Sequence, residues 1–123
     1  VRALQPDFQV LGTIGTRGVI ATAAGNSSGN GAPGSAKGEG STKGEGYDFI
    51  SRFFAPAFGI DEDPVTGSAH CALGPYWAGK LGKDEVVGYQ ASPRGGTVRV
   101  KVRGDRVILV GRAVTILRGT IAV

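Results

Sequence analysis

The chain has 123 residues, 41% of them apolar, which fits one hydrophobic core and a single domain over 1–123. Its net charge of +4 is uneven: residues 1–79 hold five Lys/Arg and seven Asp/Glu, and residues 80–123 hold nine and three. A fifth of the residues are charged and no apolar run approaches the ~20 residues of a membrane span, so wholesale disorder and a membrane helix are both disfavoured.

In chain order, Val1–Leu4 reads as a short strand, and Pro6 opens a short helix to about Leu11, where its missing N–H costs little. Gly18–Ala23 is a short apolar run expected to be a buried strand. Residues 24–46 carry Gly, Ser, Lys and Glu with no large apolar side chain, the composition of a flexible loop. A phosphate-binding loop would need Gly-x-x-x-x-Gly-Lys-Ser/Thr and a following helix, which this segment lacks. Tyr47–Phe54 reads as a strand and Ala55–Gly67 as a turn-rich connection. Gly67–Leu81 is the best helix candidate. Its apolar residues spread around the whole circumference, which predicts a buried helix loosened at Pro75 and stopped at Gly82. Strands are expected at Val86–Gln90, Thr97–Val102, Arg106–Val110 and Ala113–Leu117, with turns at Gly95-Gly96 and Gly104-Asp105. Strands before and after one central helix favour an α+β layout, a curved, mostly antiparallel sheet covering a buried helix.

The basic C-terminal third invites a nucleic-acid reading. The alternation of Val98, Val100 and Val102 with Arg99, Lys101 and Arg103 instead describes a half-buried strand with a solvated basic face, and no aromatic residues interleave for base stacking. No nucleic-acid partner is expected. The single cysteine forbids an intrachain disulfide and, with no export signal in view, fits a reducing, cytoplasmic setting. The chain starts at Val1 and contains no Met, so it is expected to be a trimmed or excerpted piece of something longer.

Chemistry concentrates at Thr66-Gly67-Ser68-Ala69. The first N–H groups of a helix lack internal partners and carry partial positive charge, which suits a carboxylate or phosphate. On these residues alone an ordinary N-cap by Thr66 or Ser68 is the simpler account. Asp63, held by Pro64, stands just upstream, where a carboxylate can orient a bound acid or relay a proton. Asp61 and Glu62 read as a solvated acidic turn. His70 and Cys71 are adjacent and point about 100° apart, and no second His or Cys completes a metal site. Cys71 reads as a small core residue. His70, the only histidine, is either a hydrogen-bonded structural residue or, one turn from the anion site, a ligand contact.

Several segments together resemble one family. These are Asp48-Phe49-Ile50-Ser51-Arg52-Phe53-Phe54-Ala55-Pro56, Gly59–Cys71 with its Asp63-Pro64-Val65-Thr66-Gly67-Ser68 centre, Pro75-Tyr76-Trp77, Leu81-Gly82-Lys83 and Gln90–Gly96. With Gly104–Val107 and Gly111–Val114, they are similar to the phenazine-biosynthesis PhzF-like family from Val1 to about Gly119, interrupted by the Gly-rich segment.

The resemblance implies a diaminopimelate epimerase-like fold: two similar halves, each a sheet wrapped around a central helix, with substrate held between the two helix starts. This chain looks like the C-terminal half only. The implied activity is a cofactor-independent isomerisation of a small carboxylic acid by proton transfer, with no metal. By motif, Asp63 assists, the backbone of Gly67, Ser68 and Ala69 holds the carboxylate, and Thr66 lies beside them. The family's principal acid/base glutamate belongs to an Asn-x-Ser-Glu-type segment of the N-terminal half, which this sequence lacks, so the chain alone is not expected to turn substrate over. The two-cysteine mechanism of related epimerases is not supported, since Thr66 stands near the corresponding helix start. The expected partner is an N-terminal half-domain or a second copy of the chain. The alternative is a non-catalytic, self-associating module that binds carboxylates or serves structure.

Overall fold

The computed structural model describes residues 1–25 and 46–122, so the Gly-rich expectation lies, over 26–45, outside the described residues. The chain is α+β: helix α1 (Phe8–Thr13), strands β1 (Val19–Ala24) and β2 (Phe49–Phe54), a 3-10 turn at Pro56–Phe58, helix α2 (Gly67–Leu81), and strands β3 (Glu85–Gln90), β4 (Gly96–Arg103) and β5 (Arg106–Val110). The five strands form one sheet in chain order. Every pair is antiparallel except β2–β3, which α2 connects as a crossover.

Helix α2 occupies the span read from sequence. Gly82 ends it in the left-handed conformation at φ 64°, with its N–H on Ala78 O. The helix runs unbroken through Pro75, whose exposed position leaves the Cys71 carbonyl, which loses its donor, on the water side. The core lies between α2 and the sheet: Ala69, Leu73, Trp77 and Ala78 meet Phe49, Val86, Val98 and Val100. Phe49, Val86 and Val100 are completely buried, each worth about 1.5–3 kcal/mol. The Phe49 and Trp77 rings stack at 5.9 Å. Gly74 lets the helix lie directly on Val100, because a Cβ there would run into that side chain.

Five local readings need correction. Val1–Leu4 forms no strand, and α1 begins two residues after Pro6, capped by Asp7, whose carboxylate accepts the Val10 N–H at 3.0 Å. Ala113–Leu117 forms no strand either; residues 111–122 hold no regular secondary structure and are exposed. Cys71 is exposed, because helix positions 69, 70, 73, 74, 77 and 78 face the core and 71 does not. Glu62 is not a freely solvated acid: it takes a two-pronged ion pair from Arg52 at 2.7 and 2.9 Å, largely shielded from water. The guanidinium pKa is raised above its ordinary value chiefly by the hydrogen bond to Glu62.

The basic alternation in β4 takes its expected form. Val98 and Val100 are buried, while Arg99 and Lys101 lie along the other face within reach of Glu85, at 2.6 and 3.2 Å. No helix among the described residues is long and apolar enough to cross a membrane.

Candidate functional site

The parallel pair β2–β3 sends both strands toward the same edge, and α2 starts there. Asp63 is fixed first, its N–H donating to Phe53 O at 3.0 Å. Its carboxylate then accepts the Thr66 hydroxyl in a short hydrogen bond. With that proton committed, Thr66 Oγ1 accepts from Gln90 Nε2 at 3.1 Å. The Gln90 amide also donates to Asp63 O at 2.6 Å and accepts the Thr66 N–H at 2.8 Å. Gln90 is fully buried at the end of β3 and clamps the turn from Asp63 to Thr66 at both ends. Ser92, also buried, donates to Pro64 O at 2.7 Å and accepts the Gly95 N–H at 3.0 Å. The turn is thus held from beneath by two polar side chains of β3 and its following loop.

This arrangement bears on the simple N-cap account. Thr66 is the N-cap residue, yet its side chain makes no capping bond, because the hydroxyl is turned to Asp63. The helical ladder begins with His70 N–H on Thr66 O at 3.3 Å. The N–H groups of Gly67, Ser68 and Ala69 precede that bond and are the unpaired donors of a helix start. Thr66, by contrast, has both its N–H and its hydroxyl engaged.

Asp63, Thr66, Gly67 and Ser68 line one open cavity of about 370 Å³, together with Arg17, Phe53, Ala55, Phe58 and Ile60. The wall therefore combines a helix start, one carboxylate, one guanidinium and an apolar surface on which Phe58 is 66% exposed. Gly67 carries no steric demand of the fold, since a Cβ there would sit 3.7 Å from Leu109 in ordinary contact.

The Ala69 side chain is buried in the core, so only its backbone N–H belongs to the helix start, and one expected contact lies elsewhere. His70 is completely buried, its ring 5.8 Å from that of Phe49 and its Nδ1 2.7 Å from Thr66 O. It lines no part of the cavity, because position 70 belongs to the sheet-facing side of α2. Burial lowers its pKa below the usual 6.5. Among the described residues no three His, Cys, Asp or Glu side chains gather as a metal would require.

Sequence reasoning missed Gln90, Arg17, Phe58 and Ile60. Gln90 carries no local signal beyond a polar residue ending an apolar strand. Arg17 reaches the cavity because Gly18 lies against the Phe53 ring, where a Cβ would collide. Gly18 was the one available hint, as glycine in an apolar run marks a close approach.

The family model described as phenazine biosynthesis-like protein, PhzC-PhzF, matches residues 1–119. An uncharacterized isomerase of Halalkalibacterium halodurans is 51% identical over 118 residues, covering 96% of this chain and 38% of that protein. An uncharacterized isomerase of Pseudomonas aeruginosa is 46% identical over 121 residues, covering 98% and 39%. Among solved structures, a PhzF-family protein of Enterococcus faecalis superposes with a TM-score of 0.71 at 39% identity, covering 89% of this chain and 35% of that one. A PhzC/PhzF protein of Clostridium difficile superposes with a TM-score of 0.72 at 36% identity, covering 98% and 40%. The chain thus spans about two fifths of the length of these relatives. By sequence and by fold it belongs to the phenazine biosynthesis-like, PhzC-PhzF family.

Proposed function

We propose that this chain forms one wall of the substrate cleft of a cofactor-independent isomerase that moves a proton on a small carboxylic acid. The observation that carries the reading is the uncapped start of α2 opening, with Asp63, into the cavity. The N–H groups of Gly67, Ser68 and Ala69 receive the carboxylate, where the helix dipole favours negative charge. Arg17 adds a positive charge at the rim, and Phe53, Phe58 and Ile60 cover the carbon body of the acid.

Isomerisation by proton transfer needs a base to take a proton from one carbon and an acid to return it to another. Charge that builds up on the substrate between the two steps is stabilised by the same donors. Asp63 contacts the bound acid or assists one of these transfers; its carboxylate is oriented by Thr66 and Gln90 before substrate arrives. The principal base, by family resemblance a glutamate, comes from an N-terminal half of the diaminopimelate epimerase-like pair. That half also closes the cleft. The exposure of Phe58 and Ile60 at the cavity mouth supports a second body packing there.

A second reading, a self-associating carboxylate-binding module without turnover, has its own support. Val114, Ile116, Leu117 and Ile121 are 85–95% exposed in the C-terminal segment, more apolar surface than an isolated tail ordinarily shows. Two copies related by a two-fold axis would set two such clefts face to face.

The test is an amide NMR titration with benzoate. The largest shifts are expected at Gly67, Ser68 and Ala69, and Gly67→Val should remove them while the helix remains. Asp63→Asn should weaken the response more than it weakens folding. Shifts scattered away from the helix start, or a response indifferent to Gly67→Val, would sink the reading. Sedimentation of the chain separates the two forms, a strict monomer excluding self-association.

A further inference from the structure

A row of polar side chains crosses the sheet beneath α2. Thr22, Ser51 and Gln90 are neighbours in register on β1, β2 and β3, so they point to one face. Above them, Trp77, His70 and Thr66 share one side of the helix, four and seven residues apart. The outer members pair across the interface. Trp77 Nε1 donates to Thr22 Oγ1 at 3.0 Å, and Gln90 Nε2 donates to Thr66 Oγ1 at 3.1 Å. The inner members, Ser51 and His70, are the residues whose buried polar atoms, Ser51 Oγ and His70 Nε2, have no protein partner among the described residues. Both stand next to the Gln90–Thr66 pair: His70 is one turn, about 6 Å, along the helix from Thr66, and Ser51 is one strand, about 4.8 Å, across the sheet from Gln90.

Their chemistry is complementary. Thr66 O can only accept, so at 2.7 Å the His70 Nδ1 carries the proton, and a neutral ring presents Nε2 as a bare acceptor. Ser51 has a hydroxyl proton to give. The two atoms are not in direct bonding geometry, and orphaned buried polar groups are rare because each gives up its hydrogen bonds to water without a replacement.

From this we infer that a single trapped water joins Ser51 to His70, accepting from Ser51 Oγ and donating to His70 Nε2, and that His70 thereby positions the start of α2. The bridge locks the ring in one tautomer. The other nitrogen then keeps its proton on Thr66 O, the carbonyl that opens the helical ladder just behind the free N–H groups of Gly67, Ser68 and Ala69. The depressed basicity of the buried ring fits a neutral imidazole in this place. The water site stands apart from any ligand; only its positioning consequence rests on the proposed cleft.

The chain contains one histidine, so its long-range ¹H–¹⁵N spectrum shows one imidazole. At neutral pH the expected state is the neutral ring protonated at Nδ1. The Nε2 resonance should be displaced from the free-acceptor position, with a water cross-peak to the ring. Ser51→Ala should move the Nε2 resonance toward the free value, and Ser51→Thr, which keeps the hydroxyl on a strand-compatible side chain, should restore it. A ring protonated at Nε2, a charged ring, or an Nε2 signal without the water cross-peak overturns the bridge. If Ser51→Ala fails to fold, Ser51→Thr still decides: an Nε2 resonance at the free value in that variant overturns the bridge as well. For the positioning role, benzoate affinity should fall several-fold in Ser51→Ala and recover in Ser51→Thr. An Nε2 resonance that moves with benzoate affinity unchanged removes that role and leaves the water. Loss of benzoate binding by the wild-type chain, with the imidazole signals as expected, would count against the cleft reading alone.

Discussion

Strand β4 and the C-terminal segment are written in similar residues and end in opposite states. In β4, Thr97-Val98-Arg99-Val100-Lys101 alternates apolar with polar, and Val98 and Val100 are buried. Residues 113–117, Ala-Val-Thr-Ile-Leu, are just as apolar and β-branched, yet Val114, Ile116 and Leu117 are 85–95% exposed. The difference is company. β4 has β3 on one side, β5 on the other and α2 across its face. Residues 113–117 lie beyond β5 and pair with none of the described strands. Alternation in a sequence expresses a demand for a neighbour, and the demand is met only where hydrogen-bonding edges and a packing face are both present.

The sharpest break in that comparison is a charge placed in each region. Val100→Asp puts a carboxylate into the fully buried centre under Gly74 and should cost more than about 4 kcal/mol, seen as loss of cooperative urea unfolding. Retention of the native midpoint would mean that β4 is not the core strand described. The next largest effect is expected at the buried polar clamp. Gln90→Leu strands the Thr66 N–H and Asp63 O and should cost about 2–4 kcal/mol, with the amide signals of residues 63–69 displaced most. Shifts confined to β3 would argue that the clamp does not hold the turn.

The third effect is set by pH. Burial lowers the folded-state pKa of His70 below 6.5, so the unfolded chain binds more protons in the window beneath that value. The stabilisation is fully present above about pH 6.5 and is lost as pH falls toward the depressed folded value. Urea midpoints should be flat above that point and decline below it, and the decline should flatten in His70→Gln. Glu85, lowered from 4.5 mainly by its hydrogen bond to Arg99, adds a decline of the same sign at lower pH, and that part should remain in His70→Gln. The smallest effect belongs to the tail. Ile116→Asp should change monomer stability by less than about 0.5 kcal/mol, because the side chain touches solvent. A larger loss, rising with protein concentration, would reveal that the segment is covered in solution by another copy.

How far the sequence could be read follows from the same reasoning. Helix α2 was legible to the residue because Gly82 and the length of its apolar pattern mark its bounds. Its facing was not. Ala72, Cys71 and Tyr76 are as apolar as Leu73 and Trp77, so no side stands out: Cys71, read as a core residue, is exposed, and of the two readings of His70 the structure keeps the hydrogen-bonded structural one. At the site, Asp63, Thr66, Gly67 and Ser68 do meet in one cavity, as their local motif suggests. Gln90 lies 24 residues from Thr66 and Arg17 lies 50 from Gly67, and no local pattern announces a partnership created only by the sheet. Glu62 looked solvated for the same reason: Arg52, its partner, sits on the preceding strand.

The lone parallel pairing in an otherwise antiparallel sheet has one more consequence. Because β2 and β3 run the same way, the loops leaving both strands, 55–66 and 91–95, emerge at one edge beside the start of α2. Most of the cavity wall comes from the first loop, and part of the turn's support comes from the second. Either loop can change in length or composition while residues 49–54 and 85–90 keep their register, so the shape and lining of the cavity can drift without refolding the domain.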